Sequence, residues 1–262
     1  MNRVPTSSVR WHRPTLVRIE SPLAGSFASV PVLPTQSGTP QAVASHDAWV
    51  DQLVQERALH PDEATLARAL HVGRQPAFVG GRLALRAALA PYVPDAAQIA
   101  LLRTPRGAPT LPDAVTGSVS HKSSRAVALV APRTVSLRHV GVDLERRPIA
   151  ADLSRLSIAR RILTDQEQDL LSVWTSDALA HREQVLVYFA VKEAVYKAID
   201  PLPPVQRYVG FREVALMPTA TTPDSGSMAV TLHVPELADS SVQVAAQWAF
   251  DGDWIVAQAW SW

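Results

Sequence analysis

The chain has 262 residues, 47% of them hydrophobic, enough for one large domain or two fused smaller ones with a substantial core. Lys and Arg total 25 against 24 Asp and Glu, a near-neutral balance that argues against nucleic-acid binding. Cysteine is absent, which excludes disulfides, thiolate metal sites and a cysteine nucleophile and agrees with a cytoplasmic protein; no apolar run is long enough to span a membrane.

Residues 1–45 read as an N-terminal extension. Arg3, Arg10, Arg13 and Arg18 precede the first acid, Glu20, with Ser and Thr between them, a composition shared with transit peptides. A flexible or strand-forming leader is the simpler expectation. Residues 21–45 are rich in Pro, Ser, Thr and Gly around a short apolar piece, Phe27 to Leu33, and predict loops with one or two strands. Helical periodicity runs from His46 to Leu59. Pro61-Asp62-Glu63 then restarts a helix that continues through Ala69, with proline early and acids in the first turn. Arg74 opens a segment interrupted by Pro76 and Gly80-Gly81, after which Arg82 to Leu89 is helical. Arg82 and Arg86 share a face, either as the solvated rim of a core helix or as a phosphate clamp, since guanidinium groups bind phosphate oxygens in pairs.

Strand-like apolar runs follow at Ile99 to Leu102 and Arg125 to Val130. Between them, Gly117 to Lys122 reads as a strand ending in a polar elbow. Ser120, His121 and Lys122 there offer a hydroxyl, an imidazole and an ammonium, groups suited to an anion. Val140 to Glu145 alternates, so Val142 and Leu144 point one way and Asp143 and Glu145 the other, the two acids roughly 6.6 Å apart along one face. Such a pair is either the solvent face of an edge strand or a site for a hard cation such as magnesium, which uses one or two carboxylates together with substrate phosphates.

Ile158 to Leu163 and Gln166 to Val173 predict helices, with Thr164 as N-cap and Glu167 completing a capping box. Val185 to Ile199 is apolar on all sides except for Lys192, Glu193 and Lys197, which predicts a helix packed between other layers and ending at Asp200-Pro201. Charges on such a helix must be paired or bound to something. Glu193 and Lys197, four apart, are either an ordinary ion pair or part of a site. Four strands are predicted in the tail: Phe211 to Met217, Met228 to Val234, Val242 to Phe250 and Trp254 to Trp262. Pro218 to Ser227 is expected as a polar loop and Asp251-Gly252 as a hairpin turn.

The strand Gly141-Val142-Asp143-Leu144-Glu145, followed by Phe189-Ala190-Val191-Lys192-Glu193-Ala194-Val195-Tyr196-Lys197, resembles the 4′-phosphopantetheinyl transferase superfamily, whose patterns are G-[VI]-D-[IVL]-E and [WF]-x-x-K-E-[AS]-x-x-K. The Ser120-His121 elbow, Gly81-Arg82 and the Thr164 to Glu167 helix start add to the likeness, which is greatest to the enterobactin- and surfactin-synthetase-activating branch. It covers roughly residues 56–217. Departures are Phe189 where Trp is common, Gly107-Ala108-Pro109 where members carry a cation after the Gly, and Lys122 where Ser is frequent.

The resemblance implies an α+β fold of two similar, pseudo-duplicated lobes, residues 46–137 and 138–262, with the active site in the cleft between them. It implies transfer of the phosphopantetheine arm of coenzyme A to a serine of an apo acyl or peptidyl carrier protein, releasing 3′,5′-ADP. Asp143, Glu145 and Glu193 would hold Mg²⁺, with Mn²⁺ as an alternative. Glu193 would serve as base and Lys197 would assist the leaving phosphate. Arg74, Arg82, Arg106, Ser120, His121, Lys192 and Lys197 would contact coenzyme A, His121 in a catalytic capacity as well. Arg160 and Arg161 are candidate contacts for an acidic carrier, and a monomer is expected. The alternative is a non-catalytic coenzyme A or carrier-binding module of the same fold.

Overall fold

In the first half of the chain a three-stranded antiparallel sheet carries one long helix. The computed structural model describes residues 25–32, 40–150, 158–174 and 177–262. Strands β1 (Ser26–Pro31), β2 (Val115–Lys122) and β3 (Arg125–Pro132) pair in the order β1-β3-β2. Part of the expected leader therefore belongs to the first sheet, since β1 pairs along its whole length with β3. Helices α1 (Pro40–Gln55) and α2 (Pro61–Ala69) precede α3 (Gln75–Leu89), which lies on the sheet.

Gly80-Gly81 does not interrupt α3 as expected. A Cβ on Gly80 would stand 2.5 Å from Val32 Cγ2, and one on Gly81 3.1 Å from Val119 Cγ2, so the glycines let the helix lie flat against the strands. Ile99 to Leu102 is not a strand either. Two of its polar groups are met by buried side chains: the Leu101 amide donates to Glu63 Oε1 at 2.6 Å, and Arg86 donates to the Ile99 carbonyl at 3.0 Å. Arg86 also pairs with Glu63 at 2.7 Å, so it is neither a solvated rim nor a phosphate clamp but a polar tie inside the lobe.

The second half carries a five-stranded antiparallel sheet. Strands β4 (His139–Arg146), β5 (Val214–Thr221), β6 (Ser225–Leu232), β7 (Val244–Asp251) and β8 (Trp254–Ser261) take the order β4-β8-β7-β6-β5. The expected loop from Pro218 to Ser227 is mostly strand. β5 is an edge, where a proline costs no ladder bond, and the register shifts between Pro218 and Ala220. Helices α4 (Ala159–Ile162), α5 (Asp165–Trp174) and α6 (Ala178–Ile199) follow β4. α6 starts about two turns before the apolar run, where Asp177 accepts from the Ala180 amide at 2.7 Å. No helix among the described residues is long and apolar enough to cross a membrane.

The fold is thus α+β in two lobes of like plan, a helix on an antiparallel sheet, but the sheets differ in strand number. Phe27, Val127 and Leu129 of the first lobe pack with Val140, Val142, Leu144, Val256 and Trp260 of the second in one shared apolar cluster. The exposed edges of the two sheets meet along β2 and β4, where the Val142 amide donates to Ser118 Oγ at 3.1 Å. Arg125 pairs with Asp251 and Arg106 with Asp200 across the same boundary.

Candidate functional site

The pleat of β4 sends Val142 and Leu144 into the apolar cluster between the lobes and leaves Asp143 and Glu145 on the opposite face. Gly141 shares that second face. A Cβ there would fall 1.8 Å from the Ala194 carbonyl oxygen, so only glycine lets α6 come this close. The close crossing brings Glu193 and Lys197 of α6 against the β4 acids. Lys197 Nζ donates to Asp143 Oδ1 at 2.6 Å and to the Val142 carbonyl at 3.0 Å.

The first lobe contributes from β2. Ser118, Ser120 and Lys122 alternate along the strand and all turn to β4. Ser120 Oγ donates to Asp143 Oδ1 at 2.8 Å, so its hydroxyl proton is spent on orienting a carboxylate. Lys122 Nζ reaches both oxygens of Glu145, at 2.9 and 2.7 Å. Strand alternation turns His121 towards α3. Its imidazole keeps contact with solvent, but desolvation, then the charges of Lys197 and Arg82, outweigh Asp143 and hold its pKa below the ordinary histidine value.

Arg82 is buried on α3, its guanidinium 4.3 Å from the centre of the Phe78 ring. It donates from Nη2 to the Leu102 carbonyl at 3.1 Å, while its Nε is buried without a hydrogen-bond partner. Burial first, helped by the charges of Arg103 and Arg86 and only partly offset by Glu63, brings its pKa down to about 10. Arg74 is exposed on the turn before α3. Arg106 ties the first lobe to the end of α6: besides its ion pair with Asp200 it donates to the carbonyls of Val205 and Arg207, at 3.3 and 2.9 Å.

Lys192 is a correction. It was expected at a phosphate, yet it is 0% exposed and its three N–H groups are all taken, by Glu167 Oε2 at 2.7 Å and by the carbonyls of Ile162 and Phe211 at 2.8 and 3.1 Å. Glu167 also accepts from the amides of Thr164 and Leu216, at 2.7 and 2.8 Å. Consecutive residues on a helix diverge by about 100°, so Glu193 faces the β4 acids while Lys192 anchors the other side of α6. The contact of Lys122 with Glu145 was not anticipated; the period-two spacing of Ser118, Ser120 and Lys122 is the signal that could have found it.

Burial first, and repulsion from Asp143 and Glu145 after it, raises the pKa of Glu193 against the attraction of Lys197. Glu145 is raised by burial and by Asp143, opposed by Lys122. Asp143 Oδ2 is buried with no hydrogen-bond partner. Among the described residues no three His, Cys, Asp or Glu side chains are gathered closely enough to chelate one ion as they stand. The donor set nevertheless fits a hard divalent cation: all oxygen, with Glu193 repelled by Asp143 and Glu145 and with Asp143 Oδ2 buried and unpartnered. Arg160 and Arg161 are exposed on α4 and line a separate surface hollow with Asp169 and His181.

Residues 62–131 match the family model described as 4′-phosphopantetheinyl transferase N-terminal domain, and residues 139–258 match that of the 4′-phosphopantetheinyl transferase superfamily. The chain is 28% identical over 200 residues to the 4′-phosphopantetheinyl transferase Npt of Nocardia iowensis, covering 76% of this chain and 84% of that one. It is 32% identical over 182 residues to Svp of Streptomyces mobaraensis, a 4′-phosphopantetheinyl transferase, covering 68% and 67%. With PptT of Mycobacterium tuberculosis, of the same description, the figures are 31% over 154 residues, covering 58% and 62%. A solved structure, the Chronobacterium ammoniagenes ACPS–CoA complex, is 28% identical with a TM-score of 0.36, covering 47% of this chain and 95% of that one.

Proposed function

Because the chain belongs to the 4′-phosphopantetheinyl transferase superfamily, we propose that it moves the phosphopantetheine arm of coenzyme A onto a serine of an apo acyl or peptidyl carrier protein. The observation that carries this reading is the close crossing of β4 and α6 at Gly141 and Ala194, which sets Lys197 on Asp143 and brings Glu193 near enough to feel the charges of Asp143 and Glu145. Coenzyme A would lie in the cleft between the lobes, with Arg82, His121 and Arg106 on the first-lobe side and Lys197 on the second. The orphaned Nε of Arg82 is a buried donor that a phosphate oxygen would satisfy.

In the reaction the carrier serine oxygen attacks the phosphorus that bears the pantetheine arm. A new P–O bond forms, the bond to the adenosine-side phosphate breaks, and 3′,5′-ADP leaves. Glu193 takes the serine proton; its raised pKa makes it a better base than an exposed carboxylate. Lys197 spends two N–H groups on Asp143 and Val142, which leaves a third for the oxygen of the leaving phosphate. Ser120 keeps Asp143 in place. Magnesium, or manganese in its stead, would be held by Asp143, Glu145 and Glu193 and would supply positive charge to the pyrophosphate.

The test is to incubate the protein with coenzyme A, Mg²⁺ and a panel of apo carriers and to weigh each carrier. A gain equal to one phosphopantetheine on at least one carrier is expected. Coenzyme A binding with no gain on any carrier would instead support the non-catalytic module.

A further inference from the structure

We propose that Lys122 is an internal counter-cation that competes with the divalent ion for Glu145, so that this protein binds its metal more weakly alone than its three acids would allow. This rests on the metal reading given above and concerns a residue that reading does not use. The two β4 acids are held differently. Asp143 gives one oxygen to Ser120 and Lys197 and keeps Oδ2 free. Glu145 gives both oxygens to the one ammonium of Lys122. At Asp143 Oδ2 a cation therefore has no bond to displace, whereas at Glu145 it must share both oxygens with the Lys122 ammonium or detach it.

Position and charge support such a role. Lys122 is the last residue of β2, beside a two-residue turn in which Ser123 has φ 49°, and its side chain is 47% exposed against 10% for Glu145. The ammonium can thus swing into water while the carboxylate stays. Asp143, Glu145 and Glu193 carry three negative charges, and Lys122 with Lys197 two positive ones. The metal-free cluster is formally −1 instead of the −2 it would be without Lys122. A divalent ion then brings it to +1 instead of 0, which favours the pyrophosphate. Lys122 exchanges affinity for the free metal for affinity towards the anion.

The experiment is a Mn²⁺ titration of the full chain without coenzyme A, reading free Mn²⁺ by electron paramagnetic resonance at low salt. Lys122→Met should lower the Mn²⁺ dissociation constant about fivefold, as expected for removal of a half-exposed ion pair. The same substitution in a Glu145→Gln background should have no effect. Lys122→Gln serves as a second variant, with circular dichroism on each to establish that the fold is kept. Equal or weaker Mn²⁺ binding by folded Lys122 variants would overturn the inference. Failure of every variant and of the wild type to bind Mn²⁺, with or without coenzyme A, would overturn the metal reading beneath it.

Discussion

Gly141 and Ala194 meet backbone to backbone: the place a Cβ would take on the strand lies 1.8 Å from the helix carbonyl oxygen. This contact sets the distance between the two acids of β4 and the acid of α6. Gly141→Ala must push helix and strand apart, and over-packing of this kind costs about 3 kcal/mol at its upper range. Urea unfolding should show a loss of that order, together with weaker Mn²⁺ binding. A variant as stable as the wild type would mean that the helix shifts without cost.

Lys192 and Glu167 make a second prediction. Removing one member of a buried ion pair leaves an uncompensated charge and costs about 3–5 kcal/mol. Lys192→Met should therefore destabilise strongly in chemical denaturation, and Lys192→Met with Glu167→Leu should recover part of the loss. If Lys192→Met left stability intact and weakened only coenzyme A binding, the residue would belong to the phosphate site after all.

Local pattern carried much of this. The period of two from Val140 to Glu145 separates the residues that pack between the lobes from those that face α6, and the Thr164 to Glu167 spacing gives a real capping box, with Thr164 Oγ1 accepting from the Glu167 amide at 3.3 Å. What stayed hidden depends on partners far along the chain. Gly80-Gly81 looked like a helix breaker because Val32 and Val119, which fill the space beside it, are distant in sequence. Ile99 to Leu102 looked like a strand because nothing local reveals that Glu63 and Arg86 satisfy its backbone. Lys192 is placed at a phosphate by the family resemblance, whereas its partners Ile162 and Phe211, and the Leu216 amide held by Glu167, are brought together only by the fold.

His139, at the start of β4, gives a pH prediction. Burial first, and then the charges of Arg133 and Arg138, push its pKa from 6.5 down to about 4. Between those values the unfolded chain binds a proton that the folded chain refuses, so this residue costs stability as pH falls from 6.5 towards 4 and stops costing it above 6.5. Melting of wild type and His139→Gln should therefore be compared at pH about 7.5 and about 5. The wild type should lose ground relative to the variant at the lower pH. An unchanged difference would show that His139 is free to protonate in the fold.

Glu193→Gln separates chemistry from architecture. The carboxylate is raised in pKa by burial and by repulsion from Asp143 and Glu145, so its ionised form is a burden on the metal-free fold at neutral pH. Neutralising it removes that burden. The variant should melt at or above the wild-type temperature without metal, while its transfer rate falls by roughly 10²–10⁴, the usual contribution of a general base. Mn²⁺ binding should weaken as well, because one of three carboxylates no longer carries charge. A Glu193→Gln protein that transfers phosphopantetheine at the wild-type rate would move the base elsewhere in the cleft, and one that melts well below the wild type would show that the side chain is structural.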